Sequence, residues 1–529
     1  MDKSQNSANG SSKVDLIKDE SESENTVRYG NRSASSQIMV AVAQNFLLVA
    51  VGMAFGMPTM ILGALNYKTA TNQTKLESPD LILDDEQSSW LGSILYLFHP
   101  VGAVISGYLV DLIGRKTVMI IVCVPFFLGW MFLYFAESVL IIMMGTISMG
   151  IGIGFCQGPI ISYLGEVCEP RIRGSLTLIS GVAGSKGIVV IYLVNAFADW
   201  RTTSLISSIF PLLAIVMLLF LPESPIWLIS KGRLTEAEQS LRWLRGWSKK
   251  DKVRVEFDQI VKNMAKSKEE NENNSIKDKS KIDKFLDELK YFKRQEVLRP
   301  FSMMMILFVI TVLGSSIPMR PYFIEVFLTF GLPIKSEWVL ILTGVLAITG
   351  SLISCFTVNK FGKRPMALWS IAICFISTLM LAICAMNLHW PGWIPLTFFC
   401  ISFWISRYGM ISLPWMLLSE IFPIPIRGLA CGVCAALNSI ISFLATKTYV
   451  NTHAWFGLHG TLCFYSFVAG VGFVYMYFYL PETEDRTLQE ITDFFLGNGT
   501  ARDFKRPKTK RKNKEIDIFT VEEASETKL

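Results

Sequence analysis

Two cationic side chains stand in stretches of sequence that are otherwise apolar. Lys186 is near the middle of residues 175–198, and Arg407 is near the middle of residues 394–418. A charge at the centre of a bilayer costs roughly 2.5–3.5 kcal/mol on insertion scales. A lysine escapes that cost by losing its proton, whereas an arginine must find water, carbonyl groups or an anion. Such cations have the chemistry to bind the anionic part of a solute.

The sequence leaves two interpretations of Lys186 open. By helix rise it is about 17 Å from either end of its stretch, too far for the side chain to reach the interface. A charged lysine facing lipid is disfavoured by the insertion cost. Lys186 therefore either packs without its proton between helices or faces an aqueous cavity, alone or with Arg407. The neighbouring Gly181, Gly184 and Gly187 fit close helix packing and room for a ligand equally well.

The elements that must position these residues are membrane-spanning helices. The 529-residue chain is 51% hydrophobic and 18% charged, whereas soluble proteins have roughly 25% charged residues. We expect no cleavable signal peptide, because the N-terminal segment is polar and acidic. Twelve apolar stretches are long enough to cross a bilayer, near residues 38–65, 89–110, 117–136, 139–163, 175–198, 203–221, 301–329, 337–358, 365–387, 394–418, 428–450 and 458–480.

The placement of lysine and arginine predicts the orientation of these spans. Basic residues cluster at alternate ends of the spans and in the 230–299 segment, so both termini and the central loop are expected in the cytoplasm. The net charge of +6 therefore reflects topology, and we expect no nucleic-acid partner. Asn72 opens "NQT" in the longest outer loop and is a predicted glycan acceptor. We expect the plasma membrane as the location.

The sequence favours neither an enzyme nor a metalloprotein. Nearly all of the ten cysteines fall inside spans or at their ends, which argues against a disulfide framework. "CGVC" at 431–434 lies within a predicted span, and we expect no metal site there. The sequence shows no nucleophile–base–acid set and no phosphate-binding loop, so no covalent chemistry and no cofactor are predicted.

Three motif pairs recur across the chain. "DLIGRK" at 111–116 matches "NKFGKR" at 359–364, "GEVCEPRIRG" at 165–174 matches "SEIFPIPIRG" at 419–428, and "LPESP" at 221–225 matches "LPETE" at 480–484. The offset is about 250 residues each time, and each pair follows corresponding spans. The repeat predicts two parallel six-helix halves related by an axis along the membrane normal.

The repeat also predicts the boundaries of the domains. We expect an N-terminal half and a C-terminal half joined by a cytoplasmic loop with short helices, and disordered cytoplasmic tails at both ends. In order, these segments are 1–36 (tail), 37–221 (half), 222–299 (loop), 300–490 (half) and 491–529 (tail).

With these motifs, the chain resembles the sugar-porter family of the major facilitator superfamily over about residues 37–495. More narrowly, it is similar to the facilitated trehalose transporters of insects, through "SSWLGSILYL" at 88–97, "ATKTY" at 445–449 and "LHGTLCFYSF" at 458–467. The resemblance implies an all-α membrane protein with the major facilitator fold, twelve transmembrane helices and alternating-access transport.

The resemblance also implies a cytoplasmic gate of charged residues. In the family such groups pair between the two halves and hold the inner side shut while the outer side is open. Asn359 stands where the family usually has an acid, which weakens the network in the second half. The matching residues are Asp111, Arg115, Lys116, Glu166, Arg173, Lys363, Arg364, Glu420 and Arg427.

The central binding positions match the family poorly. Trp415 and Asn438 match family residues that contact the sugar, and Pro414 predicts a kink beside them. The family's paired glutamines align with Thr311 and Val312. Three other polar family positions align with Gly181, Ala347 and Thr146, and an asparagine aligns with Ile317. The substrate-binding residues predicted from alignment and charge are Trp415, Asn438, Arg407, Lys186 and Thr311.

These observations favour facilitated transport of a small solute such as trehalose or a hexose. The first span has no acid, which argues against a proton symporter that uses a carboxylate there. Because the hydroxyl-binding amides are replaced and cations are present, the sequence leaves open an organic-anion transporter. A non-transporting membrane sensor is a further alternative, since the gating motifs persist without the usual sugar ligands.

Overall fold

The protein is helical. The computed structural model describes residues 31–66, 81–273, 294–386, 390–418, 420–423, 426–484, 486 and 488–497, and in these ranges the only strand-like pairing is one bridge between Asn66 and Leu83. The predicted glycan acceptor Asn72 and the side chain of the predicted gating residue Arg173 lie outside the described residues.

The first half consists of six spans that follow one another with short connections. Span 1 contains Pro58 and is 35 residues long, so it exceeds the roughly 20 residues that a bilayer requires. Span 6 is divided at Ser208. The spans are Asn31–Leu65, Asp85–Ile113, Arg115–Tyr134, Val139–Val167, Pro170–Asn195, and Trp200–Ser207 with Ile209–Leu219.

The second half repeats this order with more interruptions. Spans 11 and 12 form the continuous assignment Arg427–Tyr479, which departs from helical geometry at Gly457 (φ 66°). Span 10 contains a π-helical segment, Ser406–Met410. The remaining helices are Gln295–Leu313 and Phe323–Thr329 (span 7), Ser336–Phe361 (span 8), Lys363–Met386 (span 9), and Trp393–Ile405 with Ser412–Leu418 (span 10).

The structure confirms the predicted helical membrane fold. Among the described residues, ten helices are long and apolar enough to cross a membrane. The longest, Arg427–Tyr479, supplies two spans because it turns at Gly457, and Pro170–Asn195 supplies another through its shorter apolar core. These ten helices, with Arg427–Tyr479 counted twice, and Pro170–Asn195 together give the twelve spans expected from the sequence.

Span 7 differs from the sequence prediction of one continuous helix over 301–329. The helix ends at Leu313, and the chain resumes helical structure only in the 3₁₀ turn Arg320–Tyr322. The intervening Ser315 and Pro318 account for the break: the serine hydroxyl bonds to backbone groups nearby, at Val312 and Ile317, and proline lacks the N–H that continues a helix. The break reorients the residues that follow it.

Short helices on the cytoplasmic side pack against the first half. They are Pro225–Ser230, Leu234–Leu244 and Lys250–Asn273. Arg245, which is 6% exposed, attaches them by pairing with Glu256 and donating to the Val167 carbonyl at the end of span 4.

Glycines allow spans of the first half to approach closely, as small residues do between membrane helices. A Cβ added at Gly187 in span 5 would lie 2.1 Å from the Val49 carbonyl oxygen in span 1. A Cβ added at Gly154 in span 4 would lie 1.8 Å from the His99 carbonyl oxygen in span 2. Gly184, one turn before Gly187, has open space where its Cβ would be.

We therefore predict that Gly187→Ala destabilises the protein and Gly184→Ala does not. Overpacking at Gly187 is expected to cost about 1–3 kcal/mol, because the clash is with rigid backbone. Thermal unfolding of the purified protein in detergent measures the difference. Since both changes add the same helix-favouring methyl group to one helix, equal melting temperatures for the two variants would contradict the packing described above.

Candidate functional site

Arg407 lies in the π-helical segment of span 10, whose geometry follows from Pro414. Proline at this position cannot donate to the Met410 carbonyl four residues earlier. In the turn before it, the backbone N–H of Ile411 donates to the Ser406 carbonyl five residues earlier at 2.8 Å, which is the hydrogen bond of a π-helix. The Thr311 hydroxyl of span 7 donates to the freed Met410 carbonyl at 3.4 Å. The kink predicted at Pro414 is thus combined with a π-bulge that sets the orientation of Arg407.

The Arg407 side chain packs against residues of the second half. Its Cβ lies against Gly350 of span 8, and its guanidinium lies over the Phe403 ring at 5.7 Å. It is close enough to Tyr96 and Tyr192 of the first half to interact with them electrostatically. Its Nε is buried without a hydrogen-bond partner. The guanidinium is therefore held by packing and not by an ion pair within the described chain.

A second arginine, Arg320, lies within electrostatic range of Arg407. Arg320 is 8% exposed and stands on the 3₁₀ turn where span 7 resumes. Sequence reasoning missed it, because a continuous span 7 would carry residue 320 toward the outer surface. The combination of Gly314, two serines and Pro318 before it was the signal that the helix breaks there.

Hydroxyl groups of the first half surround the arginine pair. The Tyr192 hydroxyl of span 5 donates to Thr59 at 3.1 Å, and the Thr59 hydroxyl of span 1 donates to the Arg320 carbonyl at 3.0 Å. Tyr192 interacts electrostatically with Arg320 and Arg407, as well as with Tyr96. Residues from spans 1, 2, 5, 7 and 10 thus converge on one polar centre.

No contact in the described part of the structure joins Lys186 to this centre. Lys186 is exposed and lies two turns from Ile179 and two turns from Leu193, which are 45% and 43% exposed. Tyr192, which does reach the centre, lies about 120° around the helix from Lys186. Lys186 is thus exposed on a different face of span 5 from Tyr192.

The other predicted binding residues have different surroundings. Trp415 is 41% exposed and packs edge-to-face on Phe308 of span 7 at 5.6 Å between ring centroids. Asn438 is half-buried in span 11, and its backbone carbonyl accepts a hydrogen bond from the Ser442 hydroxyl. The Thr311 hydroxyl donates its hydrogen bond to the Met410 carbonyl. Trp415 and Asn438 keep side chains available to a solute, whereas Thr311 stabilises the kink.

The two halves are joined on the outer side. Tyr322 of span 7 stacks on Tyr449 of span 11 at 4.7 Å, and its hydroxyl donates to the Ser88 carbonyl of span 2 at 3.2 Å. The Ser89 hydroxyl donates to the Lys447 carbonyl at 2.7 Å. These contacts form a seal, called the outer seal below.

One further contact between the halves lies deeper. Ser439 of span 11 and His99 of span 2 are within hydrogen-bonding distance, at 3.1 Å. The bond from Thr59 to Arg320 also joins the two halves. With the two bonds of the outer seal, the described residues form four hydrogen bonds between the halves, and all of them lie in the outer part or the middle of the bundle. The described conformation is closed at the end of the bundle where Tyr322 stacks on Tyr449.

Charged residues at the cytoplasmic ends pair within the first half. Arg115 lies 3.0 Å from Glu166 and 3.6 Å from Asp111. The Glu223 carboxylate, from "LPESP", accepts the backbone N–H groups of Arg115 and Lys116 at 3.0 and 3.1 Å. This carboxylate caps the exposed N-terminus of span 3.

The second half repeats the arrangement. The Lys363 ammonium lies 2.6 Å from Glu420 and 3.1 Å from Glu484. Glu482, from "LPETE", accepts the backbone N–H groups of Lys363 and Arg364 at 3.1 Å each. The sequence showed both motifs as a repeat but assigned their glutamates no role.

The ion pairs of the described gating residues therefore differ from the expected inter-half network. Arg427 donates to the Phe422 carbonyl at 3.2 Å, and Arg364 donates to the Tyr477 carbonyl at 2.7 Å, so these arginines also bond within the second half. We attribute this difference to the conformation. The halves contact each other on the outer side, and on the cytoplasmic side each described cation pairs with acids of its own half.

We predict that Glu482→Ala destabilises the second half. It leaves two backbone N–H groups at a helix start without their charged acceptor, which costs about 1.5–3 kcal/mol per bond at most. The melting temperature of the purified protein should fall by several degrees. Glu137→Ala, which removes an exposed carboxylate from an outer connection, serves as the control. A Glu482→Ala protein as stable as that control would show that the cap contributes nothing.

Comparison with known proteins agrees with this geometry. The family described as "Sugar (and other) transporter" matches residues 37–495. The facilitated trehalose transporter Tret1 of Polypedilum vanderplanki is 27% identical over 468 residues, which cover 87% of this chain and 88% of the relative. Tret1 of Apis mellifera ligustica is 26% identical over 463 residues, covering 87% of each chain.

Solved structures show the same fold. The E. coli xylose transporter XylE in its inward-open conformation superimposes with a TM-score of 0.67 at 22% identity, covering 86% of this chain and 99% of XylE. XylE bound to 6-bromo-6-deoxy-D-glucose gives a TM-score of 0.62 at 20% identity, with the same coverage. The chain therefore belongs to the sugar (and other) transporter family, and it is a multi-pass membrane transporter of the sugar type with the major facilitator fold, not an enzyme.

Proposed function

We propose that the protein carries sugar-type solutes across the plasma membrane by facilitated alternating access, with both termini in the cytoplasm. The observation that supports this most is the polar centre next to the outer seal, to which both halves contribute residues. A solute held there would be covered from the outside and released by opening on the inside. The curated relatives named as trehalose transporters make trehalose and glucose the first neutral solutes to test.

Transport is proposed to be independent of protons. Span 1, Asn31–Leu65, has no Asp or Glu, and its buried polar side chains include the amide of Gln44. Gln44 donates to the Ile160 carbonyl of span 4 at 3.3 Å and so joins two spans of the same half. An amide in this role does not titrate, in contrast with a carboxylate.

Counterflow in proteoliposomes tests transport directly. Vesicles preloaded with unlabelled trehalose or glucose should transiently accumulate the labelled sugar, because an alternating-access carrier exchanges solute without net flow. A protonophore should leave the rate unchanged. Binding of a sugar without any counterflow would support a sensor and contradict the proposed transport, and inhibition by the protonophore would contradict uncoupled transport alone.

We further propose that the cytoplasmic ion pairs exchange partners during the cycle. In the outward-open state, the charges now paired within each half would pair between halves and close the inner side. Lys363 supports this idea, because it is 5% exposed and faces two acids from different segments, Glu420 and Glu484. Loss of one acid then removes a group needed for the inter-half pairing.

This gate predicts that Glu420→Ala favours the conformation closed to the outside. A Ser89→Cys reporter in the outer seal should react more slowly with an external thiol reagent, since Ser89 is buried while the seal is closed. Replacing the exposed Cys463 by serine removes a competing site. Unchanged labelling relative to Glu137→Ala in the same background would place the gate elsewhere.

A further inference from the structure

The buried cations of the cytoplasmic side all have a carboxylate partner. Arg245 is 6% exposed and pairs with Glu256, and Lys363 is 5% exposed and pairs with Glu420. This is the usual solution for a buried charge, because an unpaired one loses its hydration without compensation. The folded chain thus places a carboxylate beside each of these two buried cations.

The arginine pair at the centre breaks this rule. In the part of the chain that the structure describes, neither Arg320 nor Arg407 lies in an ion pair, and the buried Nε of Arg407 donates to no acceptor. The nearest acid along the chain is Glu325, which lines a small outer pocket with Leu62 and Asn66. Arg320 and Arg407 also repel each other, since each lies in the electrostatic field of the other.

Arg320 is 8% exposed, and the half-buried Arg407 has its Nε atom buried, so this arrangement is costly unless something else completes it. Arginine stays protonated in proteins, so the two charges persist. Tyrosine hydroxyls lie beside them and have lone pairs, but they carry no negative charge while protonated. Breaking a buried ion pair by removing one partner costs about 3–5 kcal/mol in measured cases. A ligand that brings negative charge would offset a cost of this kind.

We propose that the centre binds an anionic group, a carboxylate or a phosphate, carried by a sugar-type solute. This inference rests on the proposed function and specifies its substrate class. The planar guanidinium groups suit oxygens of such an anion, which accept paired N–H bonds. Trp415, with its exposed ring, and the hydroxyls of Tyr96 and Tyr192 are then available to the hydroxylated body of the solute.

Counterflow with three labelled probes of similar size tests the proposal: glucose, gluconate and glucose 6-phosphate. Reconstituted full-length protein is expected to exchange at least one of the two anions at least tenfold faster than glucose, and the two anions separate carboxylate from phosphate recognition. Arg320→Gln and Arg407→Gln should each lower anion exchange at least tenfold. Lys335→Gln, which removes an exposed cation at the start of span 8, should leave it unchanged.

Two measurements keep the proposal testable if a glutamine variant is unstable. The preferred anion should raise the melting temperature of the wild-type protein, and glucose at the same concentration should not. Arg407→Lys, which keeps the charge, should retain more anion exchange than Arg407→Gln. Exchange of glucose or trehalose without either anion would overturn this inference and leave the proposed function standing. Failure of the protein to exchange any probe, trehalose included, would overturn both.

Discussion

The bilayer supplies neither water nor counter-charge, and most of the structure follows from that constraint. Backbone groups freed by a kink or a helix end must find partners within the protein. Pro414 frees the Met410 carbonyl, and Thr311 from the neighbouring span occupies it. The starts of spans 3 and 9 expose N–H groups, and the carboxylates of Glu223 and Glu482 cap them. Arg320 and Arg407, in contrast, have no carboxylate partner among the described residues.

The two caps also show that the repeat in sequence corresponds to a repeated structural unit. Each motif places a glycine with positive φ, Gly114 or Gly362, at the tight turn between two spans. A side chain at either glycine would collide with the capping glutamate, since the added Cβ would lie 2.4 or 2.5 Å from a carboxylate oxygen. The turn, the cap and the neighbouring ion pair therefore form one unit, and each half has a copy at its cytoplasmic end.

The number and order of spans followed from hydropathy, because long apolar helices are dictated by the bilayer itself. The direction in which a side chain points depends on local breaks, which periodicity does not reveal. Lys186 and Arg407 looked equivalent in sequence, both at the middle of an apolar stretch. Lys186 is exposed in the regular helix of span 5, whereas Arg407 lies in the π-helical segment of span 10 with its Nε atom buried. Arg320 was missed because its position depends on the break in span 7.

The placement of the arginine pair has a consequence for alternating access. In the described conformation the outer seal, with Tyr322 stacked on Tyr449, lies two residues along the chain from Arg320. Closing the inner side as well would remove the remaining water from both guanidinium groups. For an empty carrier that step buries two uncompensated charges, whereas an anion in the centre neutralises at least one. Under the proposed specificity, the loaded carrier therefore changes conformation more easily than the empty one, and exchange of solute is faster than net flow.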